Sequence, residues 1–182
     1  MRRLTNLELL LLALLQPRPA SGYALRKSFT TTPLGHYSDS PGSIYPALQR
    51  LRRRGLVRPL PQQPANGRRA QLFTTTPKGL NELRAWLKCP ITSDEVQHDP
   101  QGLMLRFVFC AQFFGNGSAR AFVLQLGTRL HETILELESY LRGPGKVLPA
   151  AGRLAVEQGL EGYRALARWA ARAAKQLQRS AK

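Results

Sequence analysis

The 182-residue sequence predicts a mainly α protein in two parts. Three helices, a two-stranded hairpin and a fourth helix are expected over residues 1–88, then an almost wholly helical half over 89–182. Three observations carry this. Apolar residues recur at helical spacing through most of the chain. The turn signal Asn66-Gly67 stands between two short β-prone runs. The basic excess is concentrated in the first part, with 15 Lys and Arg against three acids up to Lys88, a net +12; the remainder has 12 against eight, a net +4.

The first helix starts at Thr5-Asn6-Leu7-Glu8, a capping-box pattern in which the Thr5 hydroxyl accepts from the Glu8 N–H and the Glu8 carboxylate reaches back. It runs to about Leu15 and is apolar on nearly every side, which predicts that other elements sandwich it. Pro17 and Pro19 end it, and Ser21 opens a short second helix, "GYALRKSF", with Tyr23 and Leu25 as anchors. After a polar connection, Ser40 and Pro41 read as N-cap and first position of a third helix. Gly55 closes it in the left-handed role. Leu56-Val57-Arg58 is expected as a strand, Gln71 to Thr75 as its return, and Thr76-Pro77 as the start of the fourth helix. That order is a winged helix-turn-helix.

The second half opens on another capping box at Thr92 to Glu95, followed by the core-dense "LMLRFVFCAQFF". Asn116-Gly117-Ser118 is expected to break the chain and cap a long helix to about Leu141, with "RGPGKVLPAAG" as a loop. A last helix from about Ala150 to Leu177 places Val156, Leu160, Tyr163, Ala167, Ala170, Ala174 and Leu177 on a heptad seam. Its three alanines permit close helix approach. Gly159 and Gly162 weaken the helix by about 1 kcal/mol each, so it needs a packing partner. The seam faces either a second copy of the chain, as a dimer interface, or its own domain.

A net charge of +16, clustered early, points to a polyanion. Two cysteines, Cys89 and Cys110, are too few for a disulfide framework and suit a reducing compartment. "MRR" before "LLLLALL" imitates a secretory signal, but Glu8 lies close ahead of the leucine run and no small-x-small site follows. No run is long enough to span a membrane. The expectation is a cytoplasmic protein.

The third helix carries the chemistry. At about 100° per residue, Ile44, Ala47, Leu48 and Leu51 share one stripe. Arg53 lies opposite, with Gly42, Pro46 and Gln49 near it and Ser43 and Arg50 on one flank. Arg52 and Arg54 straddle the helix, and Tyr45 sits at the edge with Arg52. A helix in a major groove is flanked by two phosphate ridges, so this arrangement suits duplex DNA. A merely solvated face would interleave acids, and none stands between Asp39 and Glu82. Pro46 either presents a donor-free surface to the partner or only fixes the helix entry, with a local distortion. Arg68 and Arg69 follow the hairpin turn and can reach phosphates or a minor groove, unless the tip is only solvated.

"SPGSIYPALQRLRRRGLV" (Ser40 to Val57) resembles the signature of PadR-family transcriptional regulators, which pair an N-terminal winged helix-turn-helix with a C-terminal helical dimerisation domain. "LELLLLALLQPRPASGYAL" resembles that family's first two helices. "RRAQLFTTTPKGLNELRAWL" is similar to its wing strand and next helix, with Phe73, Thr76 and Gly79 at the recurring positions. "HDPQGLMLRFVF" is similar to the opening of its helical half. The resemblance implies a homodimeric repressor on an inverted-repeat operator, with Ser40, Gly42, Ser43, Tyr45, Pro46, Gln49, Arg50, Arg53, Arg54, Arg68 and Arg69 at the DNA. It also implies a small planar effector at the dimer centre; Trp169 either lines such a pocket or belongs to the core. Thr75 departs from the family, which has an apolar residue there, and predicts a looser wing. The third helix departs too, because it ends in arginines where the family often has acids.

Other chemistry finds no pattern. His36, His98 and His131 lack metal spacing, "GPGK" lacks Walker spacing, and no nucleophile elbow or Ser-His-Asp order appears. The expectation is a non-enzyme without metal or cofactor. The competing functional class is a winged-helix interaction module whose basic face meets an acidic protein.

Overall fold

The computed structural model describes residues 4–31, 41–61 and 71–179. The chain divides into two compact units, Met1–Cys89 and Pro90–Lys182.

In the first unit, α1 (Asn6–Leu15) begins at the capping box: Glu8 N–H donates to Thr5 Oγ1 at 3.3 Å and Thr5 N–H to Glu8 Oε2 at 3.0 Å. Leu9 to Leu12 and Leu15 are all buried, because α3 (Ile44–Arg53), α4 (Pro77–Lys88) and the sheet close on different sides of the helix. Each leucine so buried contributes about 1.5–3 kcal/mol. Ser21 Oγ accepts from Ala24 N–H at the start of α2 (Gly22–Thr31). The residues before it add something not anticipated. Ala20–Ser21 forms a short strand, β1, so the wing is a three-stranded antiparallel sheet in the order β1-β3-β2 rather than a two-stranded hairpin. β3 (Leu72–Thr75) pairs Phe73 with Ala20 on one edge, and Thr75 with Val57 of β2 (Val57–Pro59) on the other. The turn Asn66-Gly67 with Arg68 and Arg69 lies outside the described residues, as does Ser40.

Thr75 does not loosen the wing. Its hydroxyl donates to the Leu12 carbonyl oxygen at 2.9 Å, tying β3 to α1 with a hydrogen bond that an apolar residue would lack.

In the second unit, α5 (Ser93–His98) starts at the expected capping box, where Glu95 N–H donates to Thr92 Oγ1. α6 (Pro100–Arg142) and α7 (Ala150–Arg179) follow, with a short 3-10 turn at Pro144–Val147 between them. The break expected at Asn116 to Ser118 falls one residue earlier. Gly115, at φ 78° and ψ 177°, kinks α6 in a conformation that is essentially confined to glycine.

The heptad seam packs within its own unit. Leu160 packs with Ile134 and Leu141 of α6, while Ala170 and Ala174 pack with Phe122, Val123 and Leu126. Val156, Tyr163, Ala167 and Leu177 lie half-buried against the same two clusters. Periodicity identified the buried face; what covers it is α6 of the same chain, which the small alanine side chains let approach closely.

Candidate nucleic-acid interface

The helix with the exposed basic face is α3, and its mounting is fixed at both ends. A 3-10 turn over Pro41–Ser43 precedes it, so the helix begins at Ile44 and Ser43 makes no side-chain cap bond. Pro46 is then the third helical residue. Its missing N–H is one of the first four that no helix satisfies internally, and the helix needs no distortion to hold it.

At the other end Gly55, at φ 69°, turns the chain. Gly55 N–H donates to Arg52 O and Leu56 N–H to Leu51 O, both at 2.9 Å, with Leu51 and Leu56 buried together. This is a Schellman closure. α4 secures it from outside: Thr76 Oγ1 donates to Gly55 O at 2.7 Å and Lys78 Nζ to Arg54 O at 3.0 Å. Thr76 Oγ1 also accepts from Gly79 N–H, and Gly79 lies so close to the Leu56 carbonyl that a β-carbon there would collide with it. The glycine and threonine singled out in the sequence thus join the end of α3 to the start of α4.

Ile44, Ala47, Leu48 and Leu51 are buried, and they hold the opposite face outward. Gly42, Tyr45, Pro46, Gln49, Arg52 and Arg53 are exposed. Arg53 Nε approaches Gln49 O at 3.4 Å, leaving the rest of its guanidinium outside. Ser43 and Arg54 are half-buried. Tyr45 rests on Gly22, where a β-carbon would lie 2.6 Å from the ring. Arg58 is exposed on β2.

Arg50 is placed differently from its neighbours. Its Nε donates to Glu8 Oε1 at 2.7 Å, and the Glu8 side chain is only 4% exposed. Burial pushes the Glu8 carboxyl up, but the Thr5 N–H and the guanidinium groups of Arg50 and Arg54 outweigh it, so the group sits below its ordinary range. Arg50 is therefore first a brace between α3 and α1. Sequence spacing put Glu8 in the capping box and left its other oxygen unassigned.

Trp169 meets Phe107 edge-on, with centroids 5.5 Å apart, and packs on the core of the second unit. A cavity of about 550 Å³ lies elsewhere in that unit, between Leu141 and Leu160, and is rimmed by Glu138, Arg142, Glu157, Glu161 and Arg164. Among the described residues no three His, Cys, Asp or Glu side chains gather as a metal site, and no helix is long and apolar enough to cross a membrane.

Residues 11–85, which run from within α1 into α4, match the transcriptional regulator PadR-like family. The match spans most of the first unit. No curated protein matches the chain. Among solved structures, Bacillus subtilis PadR in complex with operator DNA is similar at 20% identity, over 94% of this chain and 98% of that one, with a TM-score of 0.44. The same PadR in complex with p-coumaric acid is similar at 20% identity, over 98% of each chain, with a TM-score of 0.42. The Vibrio cholerae virulence activator AphA is similar at 20% identity, over 96% and 99%, with a TM-score of 0.39. The matched residues include α3 together with Gly55, Thr76 and Gly79, which close its C-terminal end.

Proposed function

We propose that this chain is a DNA-binding transcription regulator that reads an inverted-repeat operator as a homodimer and represses by covering promoter DNA. One observation carries the reading. The outward face of α3 presents Tyr45, Pro46, Gln49, Arg52 and Arg53, all exposed, on a helix without an acid. In a major groove, Gln49 and Arg53 meet base edges while Arg52 and Arg54 meet phosphates on the two walls, and Arg68 and Arg69 add contacts from the wing. Ser40, Gly42 and Ser43 would approach the backbone at the helix entry.

Two such helices would enter major grooves about 34–36 Å apart. A further surface that supports the dimer lies on α6. Leu124, Thr128, His131 and Leu135 form an exposed, acid-free row on the side of α6 away from α7. A small planar effector would act by changing the distance between the two recognition helices, since only a ligand that favours one spacing can switch affinity. The corresponding location is the cytoplasm, and the role is that of a regulator and not an enzyme.

Footprinting on DNA upstream of the chain's own gene tests the reading. A protected inverted repeat is expected, with Arg53→Ala or Gln49→Ala losing about 1–3 kcal/mol on that site and much less on random duplex. Equal losses on both would remove base readout. A mass near 20.3 kDa at micromolar concentration would remove the dimer.

A further inference from the structure

The two ends of α7 treat charge in opposite ways. In its first half the arginines are paired: Arg153 with Glu157 at 2.9 Å, and Arg164 with Glu161 at 2.6 Å and Glu138 at 2.7 Å. Past Glu161 the helix has no acid, yet it carries Arg168, Arg172, Lys175 and Arg179, all exposed. None of these four makes an ion pair or hydrogen bond with a described residue. Steps of four, three and four residues align them in one row about 16 Å long. The row points away from Ala170, Ala173 and Ala174, which face α6. The adjoining stretch of α6 offers no carboxylate, since Pro100 to Arg129 contains none.

Like charges three and four residues apart destabilise a helix. Lys175 and Arg179 lie near the C-terminal dipole and recover part of that, but Arg168 and Arg172 lie two turns or more further back. Among the described residues nothing else offsets this repulsion, whereas an external polyanion would make the row favourable.

We infer that this row on α7 is a second, sequence-independent contact for the phosphate backbone of duplex DNA. The inference rests on the DNA reading proposed above. The flanks of the row identify the polyanion. Ala165, Ala171 and Gln176 border it, with no bulky apolar residue among them. A helix that lies on a membrane sets large apolar side chains beside its cations, and a protein interface is anchored by buried aromatic and aliphatic groups. A row of charge alone suits closely spaced phosphates, which are bound through counterion release.

The test uses the full chain with Arg168, Arg172, Lys175 and Arg179 all changed to Gln, which preserves helix propensity and removes the charges. Binding to a long random-sequence duplex is measured across salt concentrations, with helicity checked by circular dichroism. The log–log salt slope should fall by roughly 3–4, about 0.9 for each phosphate that is no longer neutralised. A second variant with Arg168, Arg172 and Arg179 changed to Lys should keep the wild-type slope, because binding to the backbone needs charge and not a guanidinium fork. If the wild type binds duplex and the Gln variant has an unchanged slope, the α7 contact is refuted while the α3 reading stands. If the Gln variant instead loses binding to phosphatidylserine vesicles or polyglutamate and keeps its duplex slope, the polyanion is not DNA. If the wild type binds no duplex at all, both readings fail together.

Discussion

Glu8 on α1 and Arg50 on α3, 42 residues apart, meet at 2.7 Å through Oε1 and Nε, while the second Glu8 oxygen closes the Thr5 capping box. One buried carboxylate thus starts α1 and sets the orientation of α3 against it.

Glu8→Gln should therefore act twice. Denaturant unfolding should show a loss of about 1–3 kcal/mol, the scale of a charged hydrogen bond left unmet in a partly buried site. Duplex binding should weaken as well, since Arg50 loses its anchor. The pH dependence has a definite sign. The folded-state pKa of Glu8 is lowered, so its contribution is complete above the ordinary carboxylate range and disappears as pH falls through the folded value. Acid unfolding of the wild type should be steeper than that of Glu8→Gln; equal steepness would mean that the ion pair contributes nothing.

Gly22→Ala should separate binding from stability. The added β-carbon meets the Tyr45 ring at 2.6 Å, and that ring is 50% exposed and free to pivot outward. The unfolding free energy should change by less than about 1 kcal/mol, while operator affinity falls because Tyr45 leaves the α3 surface. Unchanged affinity would take Tyr45 out of the interface.

Gly79→Ala has no such outlet, because the obstacle is the Leu56 carbonyl and not a side chain. Backbone must move where α3 ends and α4 begins. A loss of about 1–3 kcal/mol in denaturant unfolding is expected.

In the second unit, Arg106 is fully buried and faces the Glu95 carboxylate at 3.3 and 3.4 Å, with its guanidinium carbon 5.3 Å from the Phe122 ring centroid. Removing only the acid leaves a charge in the core. Glu95→Ala should destabilise by about 3–5 kcal/mol, whereas Glu95→Ala combined with Arg106→Met should recover much of that loss in the same unfolding measurement.

The parts of this architecture legible in the sequence are those whose signal is local. The α3 stripe of Ile44, Ala47, Leu48 and Leu51 lies within one short helix, so its outward face followed from spacing, and Gly55 and Thr76 announced their roles by residue type. Three features were hidden, each for its own reason. A two-residue strand at Ala20–Ser21 is too short to show alternation. The Glu8 capping pattern already accounted for the acid and masked its distant partner. The α7 periodicity revealed a buried face without revealing which surface buries it, since the same alanines suit a neighbouring helix in either chain.

Gly115 decides how many rods the C-terminal unit contains. With a hydrogen atom for a side chain, the backbone there holds a conformation closed to nearly every other residue, and the segment before it leaves in a new direction. Any L-residue at this position would be drawn toward the ordinary helical well, fusing two short levers into one straight beam and carrying Phe109 and Phe113 off the places they now occupy.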